Sequence, residues 1–181
     1  MDNKAQNNIE VEIRSFLTKA KYDELLLFFK KNAQQLKEDH QETFYFDCEQ
    51  DLRIQRNDFY SKVWLKKGKL HDEHREEIEI KFDRAFFEKM EALFLALGYT
   101  VQIKWFRNRA EFLWNDVTVC IDFTRGYGYI IELEKMSTID KQNESHKLLL
   151  ERLSSLSIDL TPKDEFDKKF KYYKENWKSL V

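Results

Sequence analysis

The feature that most constrains the fold is a strand-like alternation in which one face is apolar and the other carries full charges. In residues 9–16, IEVEIRSF, the side chains of Glu10, Glu12 and Arg14 share one face, because successive residues of an extended strand point to opposite sides. The residues between them are isoleucine and valine. A half-buried strand usually shows water a mixture of polar residues, so two acids and a base on one face need an explanation.

The same alternation recurs in six further segments, which are DLRIQ, SKVWLKK, REEIEI, FRNRAEF, VTVCIDF and GYIIELE. Their charged faces carry Arg53, Lys62, Lys66, Arg75, Glu77, Glu79, Arg107, Arg109, Asp122, Glu132 and Glu134. Like charges two residues apart on one face of a strand lie about 7 Å apart and repel each other. Opposite charges on a neighbouring strand, or a bound ligand, must offset this repulsion.

Two interpretations of this pattern are open at this point. In the first, an ordinary sheet exposes its charged face to water, and ion pairs form on that surface. In the second, the strands form a barrel with a charged interior, and their apolar faces pack under helices. Carboxylates in such an interior would hold a hard divalent cation, while arginines and lysines would hold a polyphosphate. Recurrence over seven segments favours the second interpretation, which is a site for phosphoryl chemistry.

Composition limits the other possibilities. The 31 basic and 33 acidic residues of this 181-residue chain nearly cancel, so no overall field would attract nucleic acid or an anionic membrane. We therefore expect neither as a partner. No stretch approaches the roughly 20 apolar residues of a membrane helix, and the polar N-terminus does not resemble a signal peptide. Cys48 and Cys120 are too few and too far apart for a disulfide framework or a zinc site, and are interpreted as reduced core or wall residues. These features predict a cytoplasmic protein.

The order of segments predicts one α+β domain over residues 1–181. Strands occupy about residues 9–134, and C-terminal helices about residues 140–178. Two earlier helices are expected, from Thr18 to about Glu38 and from Asp83 to Leu97. The second is expected to pack on the sheet through Phe86, Phe87, Met90, Leu93, Phe94 and Leu97. The pair Thr161 and Pro162 predicts the start of the last helix, with Thr161 as its cap.

At this point the motifs resemble a known family, the CYTH superfamily of triphosphate tunnel metalloenzymes. Residues 10–14, EVEIR, resemble its Glu-x-Glu-x-Lys signature, and DLRIQ resembles its Leu-Arg-Ile-Arg. The segments KKG, REEIE, RNRAEF and CIDFTRGYGYIIELE resemble four further motifs in the family's order. The resemblance implies an eight-stranded antiparallel β-barrel tunnel with a charged interior, helices packed outside, and a need for Mg²⁺ or Mn²⁺.

The resemblance also implies roles for particular residues. The implied metal ligands are Glu10, Glu12, Asp122, Glu132 and Glu134. The implied substrate-binding residues are Arg14, Arg53, Lys66, Arg75, Arg107 and Arg109, with Glu77 and Glu79 completing the acidic wall. Glu10, Glu12 and Arg14 are the implied catalytic residues.

Three positions depart from the family's motifs. Arg14 replaces the signature lysine, and a guanidinium cannot serve as an acid or base. Gln55 replaces an arginine, so one phosphate contact is weakened or moved. Tyr127 stands where leucine usually precedes the glycine. These departures bear on the substrate and leave the expected fold unchanged.

The leading functional hypothesis is a metal-dependent triphosphatase acting on tripolyphosphate or on a nucleoside or thiamine triphosphate. The first alternative is a class IV-type adenylate cyclase, which converts ATP to cyclic AMP and pyrophosphate. That reaction requires a pocket for base and ribose, for which only Trp64 is a candidate, as a stacking surface. The second alternative is a polyphosphate or nucleotide sensor without catalysis. The expected partner is a small molecule bearing a triphosphate, and a homodimer is compatible with the sequence.

Overall fold

A computed structural model describes residues 8–66 and 77–181, except for the side chains of Asn8, Lys66 and Glu77. The strands are β1 (Asn8–Leu17), β2 (Gln34–Phe46), β3 (Asp51–Arg56), β4 (Ser61–Lys66), β5 (Glu77–Phe82), β6 (Val101–Trp114), β7 (Val117–Thr124) and β8 (Gly128–Thr138). The α-helices are α1 (Lys19–Asn32), α2 (Phe87–Ala96), α3 (Gln142–Ser155) and α4 (Lys163–Leu180), with short 3₁₀ turns at Arg84–Phe86 and Ile139–Lys141.

The strands form one eight-stranded sheet in the order β1-β8-β7-β6-β2-β3-β4-β5. The pairs β1–β8, β2–β3, β3–β4 and β4–β5 are antiparallel. The α+β class with eight antiparallel strands is therefore confirmed. The hydrogen-bonded order of the described strands is open, with β1 and β5 at its ends, so closure into a tunnel stays an expectation from the family resemblance.

The chain divides into two compact units, each with its own apolar core. Unit 1 comprises residues 1–38, 109–123 and 127–169, and unit 2 comprises residues 39–108, 124–126 and 170–181. The core of unit 1 includes Phe29, Phe112, Ile121, Ile131, Leu133 and Leu149, which are fully buried. The core of unit 2 consists of Phe44, Phe46, Leu52, Ile54 and Phe87. Burial of these side chains is the main favourable term for folding each unit.

Helix α1 ends earlier than the sequence predicts. Thr18 caps it, as expected, by accepting a hydrogen bond from the backbone N–H of Lys21. The helix ends at Asn32, and β2 begins at Gln34, whereas the prediction continued the helix to Glu38. After Phe29 only the small Ala33, which packs on the core of unit 1, and an exposed Leu36 continue the apolar stripe of the helix. Pairing with strands distant in sequence supplies its backbone hydrogen bonds instead, and local sequence does not show this.

Helix α2 buries a narrower face than expected. Asp83 accepts a hydrogen bond from the N–H of Ala85 at the predicted start, where the chain forms a 3₁₀ turn before the α-helix. Phe87, Met90 and Phe94 pack on the core of unit 2. The expectation is wrong for the remaining three residues of the predicted face, which are exposed: Phe86, Leu93 and Leu97. These three lie on an adjacent stripe of the helix, turned away from Phe87.

The apolar face of β5 is also not packed as expected. Ile78 and Ile80 are 46% and 60% exposed, although a packed face under a helix was predicted for this strand. β5 is the last strand in the described order, so no further described strand extends the surface on that side. The alternation of apolar and charged residues in β5 therefore predicts burial of the apolar face less well than the same alternation in a central strand.

Thr161 contacts β1 and does not act as the predicted helix cap. Its hydroxyl oxygen accepts a hydrogen bond from the N–H of Phe16, and its own N–H donates to the hydroxyl oxygen of Ser15. In α4, Phe166 and Tyr173 are buried. Within the described parts of the chain, no helix combines the length and apolar character needed to cross a membrane.

Candidate active site

The candidate site on unit 1 contains a group of five acids, here called the acidic cluster. It consists of Glu10, Glu12, Asp122, Glu132 and Glu134. The antiparallel pairing of β1 with β8 places Glu12 directly opposite Glu134, and Arg14 opposite Glu132. Two carboxylates directly opposite each other in a strand pair destabilise the sheet unless something binds between them. The register thus brings together residues that are about 120 positions apart in sequence.

Crowding shifts the protonation of two carboxyl groups in the acidic cluster. Desolvation, followed by repulsion from Glu132, raises the pKa of Glu134 to about 8. Desolvation and then repulsion from Glu132 also raise the pKa of Glu12, although 42% of the Glu12 side chain stays exposed. Without a cation, the Glu134 carboxyl group therefore retains its proton near neutral pH.

Arg109 lies inside the acidic cluster. Its Nε and one terminal nitrogen donate to the two carboxylate oxygens of Asp122 at 2.9 and 2.6 Å. The same terminal nitrogen donates to Glu132. The Asp122 side chain is 1% exposed and that of Arg109 is 14% exposed, so this is a buried ion pair across β6, β7 and β8. The carboxylates hold the pKa of Arg109 well above its usual range despite burial.

This arrangement bears on the role of Arg109 in the candidate site. The family resemblance implied a phosphate-binding role for Arg109, whereas its described contacts are to two implied metal ligands. A guanidinium presents five donors, so these hydrogen bonds leave donors for an anion. Arg109 orients Asp122 and Glu132, and it compensates part of their charge.

Arg14 lies at the exposed side of the acidic cluster. Its guanidinium is 3.9 Å from a carboxylate oxygen of Glu12, and its guanidinium carbon lies 4.8 Å from the centre of the Phe166 ring. About a third of the side chain is exposed. An arginine stacked on an aromatic ring can still bind an anion through the N–H groups at the edge of its planar guanidinium. A lysine ammonium is a compact charge without such an edge.

Cys120 is a neighbour of the acidic cluster that the sequence interpretation assigned to the core or wall. The thiol is buried, and its Sγ lies 4.0 Å from Oε1 of Glu134. One ligand atom each from Cys120, Glu132 and Glu134 lies within 4.8 Å of the others. Cys120 shares strand parity with Asp122, which was the sequence signal that it points to the same face.

A separate group of predicted site residues lies on unit 2 and includes Arg53. Arg53 donates through two nitrogens to both oxygens of Asp51, at 2.6 and 2.5 Å. Its guanidinium lies over the rings of Tyr45 and Trp64, with distances of 4.2 and 5.5 Å to the ring centres. Such contacts restrict the guanidinium to one orientation. The role of Arg53 in binding an anion stays a prediction.

Lys62 and Glu79 form a neighbouring pair on unit 2. The ammonium of Lys62 lies 2.7 Å from the carboxylate of Glu79 and 4.4 Å from the centre of the Trp64 ring. The lysine lowers the pKa of Glu79 against the effect of desolvation. Trp64 is only 5% exposed, so it does not present the open face that base stacking would need.

Two further predicted positions on unit 2 contact neutral partners. Arg107 donates from two nitrogens to the side-chain oxygen of Gln41, at 2.8 and 2.5 Å. Gln55, which replaces a family arginine, is buried and donates to the hydroxyl of Thr43 at 2.9 Å across the β2–β3 pair. Gln55 thus joins β2 to β3 through its side chain.

Three predicted site residues cannot be placed by their side chains. Arg75 lies outside the described residues. Lys66 and Glu77 are Cα partners in the β4–β5 pair, but their side chains also lie outside the description. Their roles stay predictions.

The acidic cluster fits the divalent cation that the family implies. It supplies carboxylate oxygens, which are the donors that Mg²⁺ and Mn²⁺ prefer. Burial, and after it repulsion from Glu132, raises the pKa values of Glu12 and Glu134. A divalent cation bound there would remove that repulsion.

This crowding predicts how stability depends on pH in a chelator. The pKa of Glu134 is about 8 in the folded chain, above the value of roughly 4.3 for an unfolded chain. The folded state therefore holds more protons in this window, and the stabilisation is lost as pH rises through the folded pKa. We expect the melting temperature in EDTA to fall between about pH 5 and about pH 9.

The variant Glu134→Gln and added Mn²⁺ provide the comparison. Glu134→Gln should flatten the pH dependence, because the amide does not titrate. Mn²⁺ should restore the melting temperature of the unmodified protein most strongly at the alkaline end. A melting temperature that rises steadily over this pH range in EDTA would contradict the assignment of crowded acids.

The sequence matches the CYTH domain over residues 8–164. The chain therefore belongs to the CYTH domain family, and the resemblance inferred from its motifs is confirmed. A comparison with curated proteins finds no match for the sequence.

Solved structures share the fold at low sequence identity. A conserved hypothetical protein from Pyrococcus furiosus is 23% identical with a TM-score of 0.69, covering 83% of this chain and 91% of that chain. An adenylate cyclase candidate from Vibrio parahaemolyticus is 14% identical with a TM-score of 0.66, covering 88% and 98%. An adenylyl cyclase candidate from Hippeastrum, described as having a dominant triphosphatase activity, is 19% identical with a TM-score of 0.65, covering 87% and 93%.

Proposed function

We propose that this protein is a divalent-metal-dependent triphosphatase, acting on inorganic tripolyphosphate or on a nucleoside or thiamine triphosphate. The observation that carries the proposal is the acidic cluster, in which Glu12 faces Glu134 across the β1–β8 pair and Arg109 joins Asp122 to Glu132. Membership in the CYTH domain family supports it, as does the triphosphatase activity attributed to the Hippeastrum protein.

The acids and bases have separate roles in this proposal. Glu10, Glu12, Asp122, Glu132 and Glu134 would hold Mg²⁺ or Mn²⁺. The cation, when bound, neutralises charge that develops on the phosphate oxygens. Arg14, Arg53 and Arg107 bind the phosphate oxygens, and the unplaced Lys66 and Arg75 are proposed to do the same. Arg109 holds Asp122 and Glu132 in orientation.

Hydrolysis breaks the anhydride bond to the terminal phosphate. Water attacks the terminal phosphorus, the bond to the bridging oxygen breaks, and the diphosphate portion leaves with that oxygen. A carboxylate oxygen of Glu12 accepts the proton of the water. Arg14 cannot exchange a proton near neutral pH and acts as a phosphate ligand.

A cyclase is the second candidate, favoured by the names of two structures with the same fold. Cyclisation of ATP requires base and ribose to be fixed so that the 3′-hydroxyl lies behind the α-phosphorus. Trp64 was the one sequence candidate for stacking the base, and its ring is buried with Arg53 and Lys62 over it. This geometry supports hydrolysis over cyclisation.

Separation of the reaction products tests the proposal. We expect the protein with Mn²⁺ to release orthophosphate from tripolyphosphate or ATP, with diphosphate or ADP as the second product. Excess EDTA should remove the activity. Cyclic AMP and pyrophosphate from ATP would identify a cyclase. Calorimetric binding of tripolyphosphate without any product from ATP, tripolyphosphate or thiamine triphosphate would identify a sensor.

A further inference from the structure

We propose that Cys120, Glu132 and Glu134 form a second cation-binding site. The buried thiol of Cys120 selects a thiophilic divalent cation such as Zn²⁺ or Cd²⁺. The proposal shares two carboxylates with the proposed function but does not depend on catalysis. It predicts that thiophilic cations bind the acidic cluster through sulfur and compete with the hard cation there.

The geometry brings one sulfur and two oxygens close enough for a shared ion. The three ligand atoms lie within 4.8 Å of one another, and Sγ of Cys120 is 4.0 Å from Oε1 of Glu134. Typical bond lengths are about 2.3 Å for zinc to sulfur and about 2.0–2.2 Å for zinc to a carboxylate oxygen. Ligand atoms around one tetrahedral ion then lie roughly 3.5 Å apart. A small adjustment of the glutamate side chains reaches this distance.

The chemistry of the donors separates the two kinds of cation. Mg²⁺ prefers oxygen ligands and gains little from a thiol, so it would use the carboxylates of the cluster. Zn²⁺ and Cd²⁺ bind thiolates strongly. As the sulfur–metal bond forms, the thiol proton is released to the buffer, and no oxidation occurs. The Cys120 thiol therefore favours Zn²⁺ and Cd²⁺ over Mg²⁺ at this site.

The guanidinium of Arg109 limits where the cation can lie. Arg109 donates to Asp122 and to one oxygen of Glu132, so a cation must bind away from that pair. A carboxylate has two oxygens, and Glu132 can keep Arg109 on one while the other binds the ion. Cys120 and Glu134 supply the other two ligand atoms, and Sγ of Cys120 lies 4.0 Å from Oε1 of Glu134.

Titration with Cd²⁺ tests the site directly, because a cadmium–thiolate bond gives an ultraviolet charge-transfer band. The chain has two cysteines, so Cys48→Ser is a matched control. We expect the band in the unmodified protein and in Cys48→Ser, and its loss in Cys120→Ser. The band should appear with one equivalent of Cd²⁺ and should weaken in Glu134→Gln.

A second measurement does not require Cys120→Ser to fold. Zinc-edge X-ray absorption of the Cys48→Ser protein loaded with one equivalent of Zn²⁺ should show one sulfur at about 2.3 Å among oxygen ligands. A shell of oxygen and nitrogen alone, or a cadmium band that persists in Cys120→Ser, would overturn the proposal. Neither result would affect the triphosphatase proposal, which is tested by product analysis with Mn²⁺.

Discussion

Replacing Glu134 by Gln is expected to reduce triphosphate hydrolysis by about 100-fold or more while the protein stays folded. Glu134 faces Glu12 across the β1–β8 pair. One of its carboxylate oxygens lies close to a carboxylate oxygen of Glu132. The amide keeps the shape of the side chain but removes the negative charge that would bind the cation. The measurement is the rate of phosphate release from tripolyphosphate at saturating Mn²⁺.

The control for this prediction is Glu24→Gln on α1, where the glutamate is exposed and paired with Lys21. This variant should retain full activity. In EDTA at alkaline pH, Glu134→Gln should melt at or above the temperature of the unmodified protein, because it relieves repulsion in the cluster. Full activity in Glu134→Gln would exclude this carboxylate from the site.

Replacing Arg109 by Met is expected to lower the free energy of unfolding by about 3–5 kcal/mol. The guanidinium compensates Asp122 and Glu132 in a buried environment, and methionine of similar length would leave both acids without that partner. Leaving a buried charge uncompensated costs more than the original pair contributes. Urea unfolding at neutral pH in EDTA measures the change.

Two variants distinguish this electrostatic cause from lost packing. Arg84→Met removes an exposed arginine that donates to a backbone oxygen, and it should change the free energy of unfolding by less than about 0.5 kcal/mol. Combining Arg109→Met with Asp122→Asn and Glu132→Gln should recover much of the loss, because no uncompensated acid remains. If the triple variant were as unstable as Arg109→Met, packing would be the cause.

The sequence was sufficient for the fold class and for the family because both depend on strand parity and motif order. Alternation along each segment identified which residues share a face, and this is fixed by the geometry of an extended chain. Glu10, Glu12 and Arg14 are close in sequence, so their common face followed directly. The cap at Thr18 and the helical start at Asp83 are equally local, and the structure confirms both.

Contacts between strands could not be read from the sequence in the same way. The sequence placed Arg109, Asp122 and Glu132 on charged faces, but only the tertiary structure joins them in one ion pair. The tertiary structure also places the Cys120 thiol near the carboxylate of Glu134. It joins the side chains of Gln55 and Thr43 by a hydrogen bond.

Sequence by itself determined which faces of the strands are charged and which family the motifs indicate. Tertiary structure decided which charges neighbour one another, where α1 gives way to β2, and which apolar residues of α2 and β5 stay exposed. The physical reason is that parity is set within one strand, whereas a pair interaction depends on the register between strands. A shift of one residue in that register would place Leu133 or Lys135 opposite Glu12 in place of Glu134.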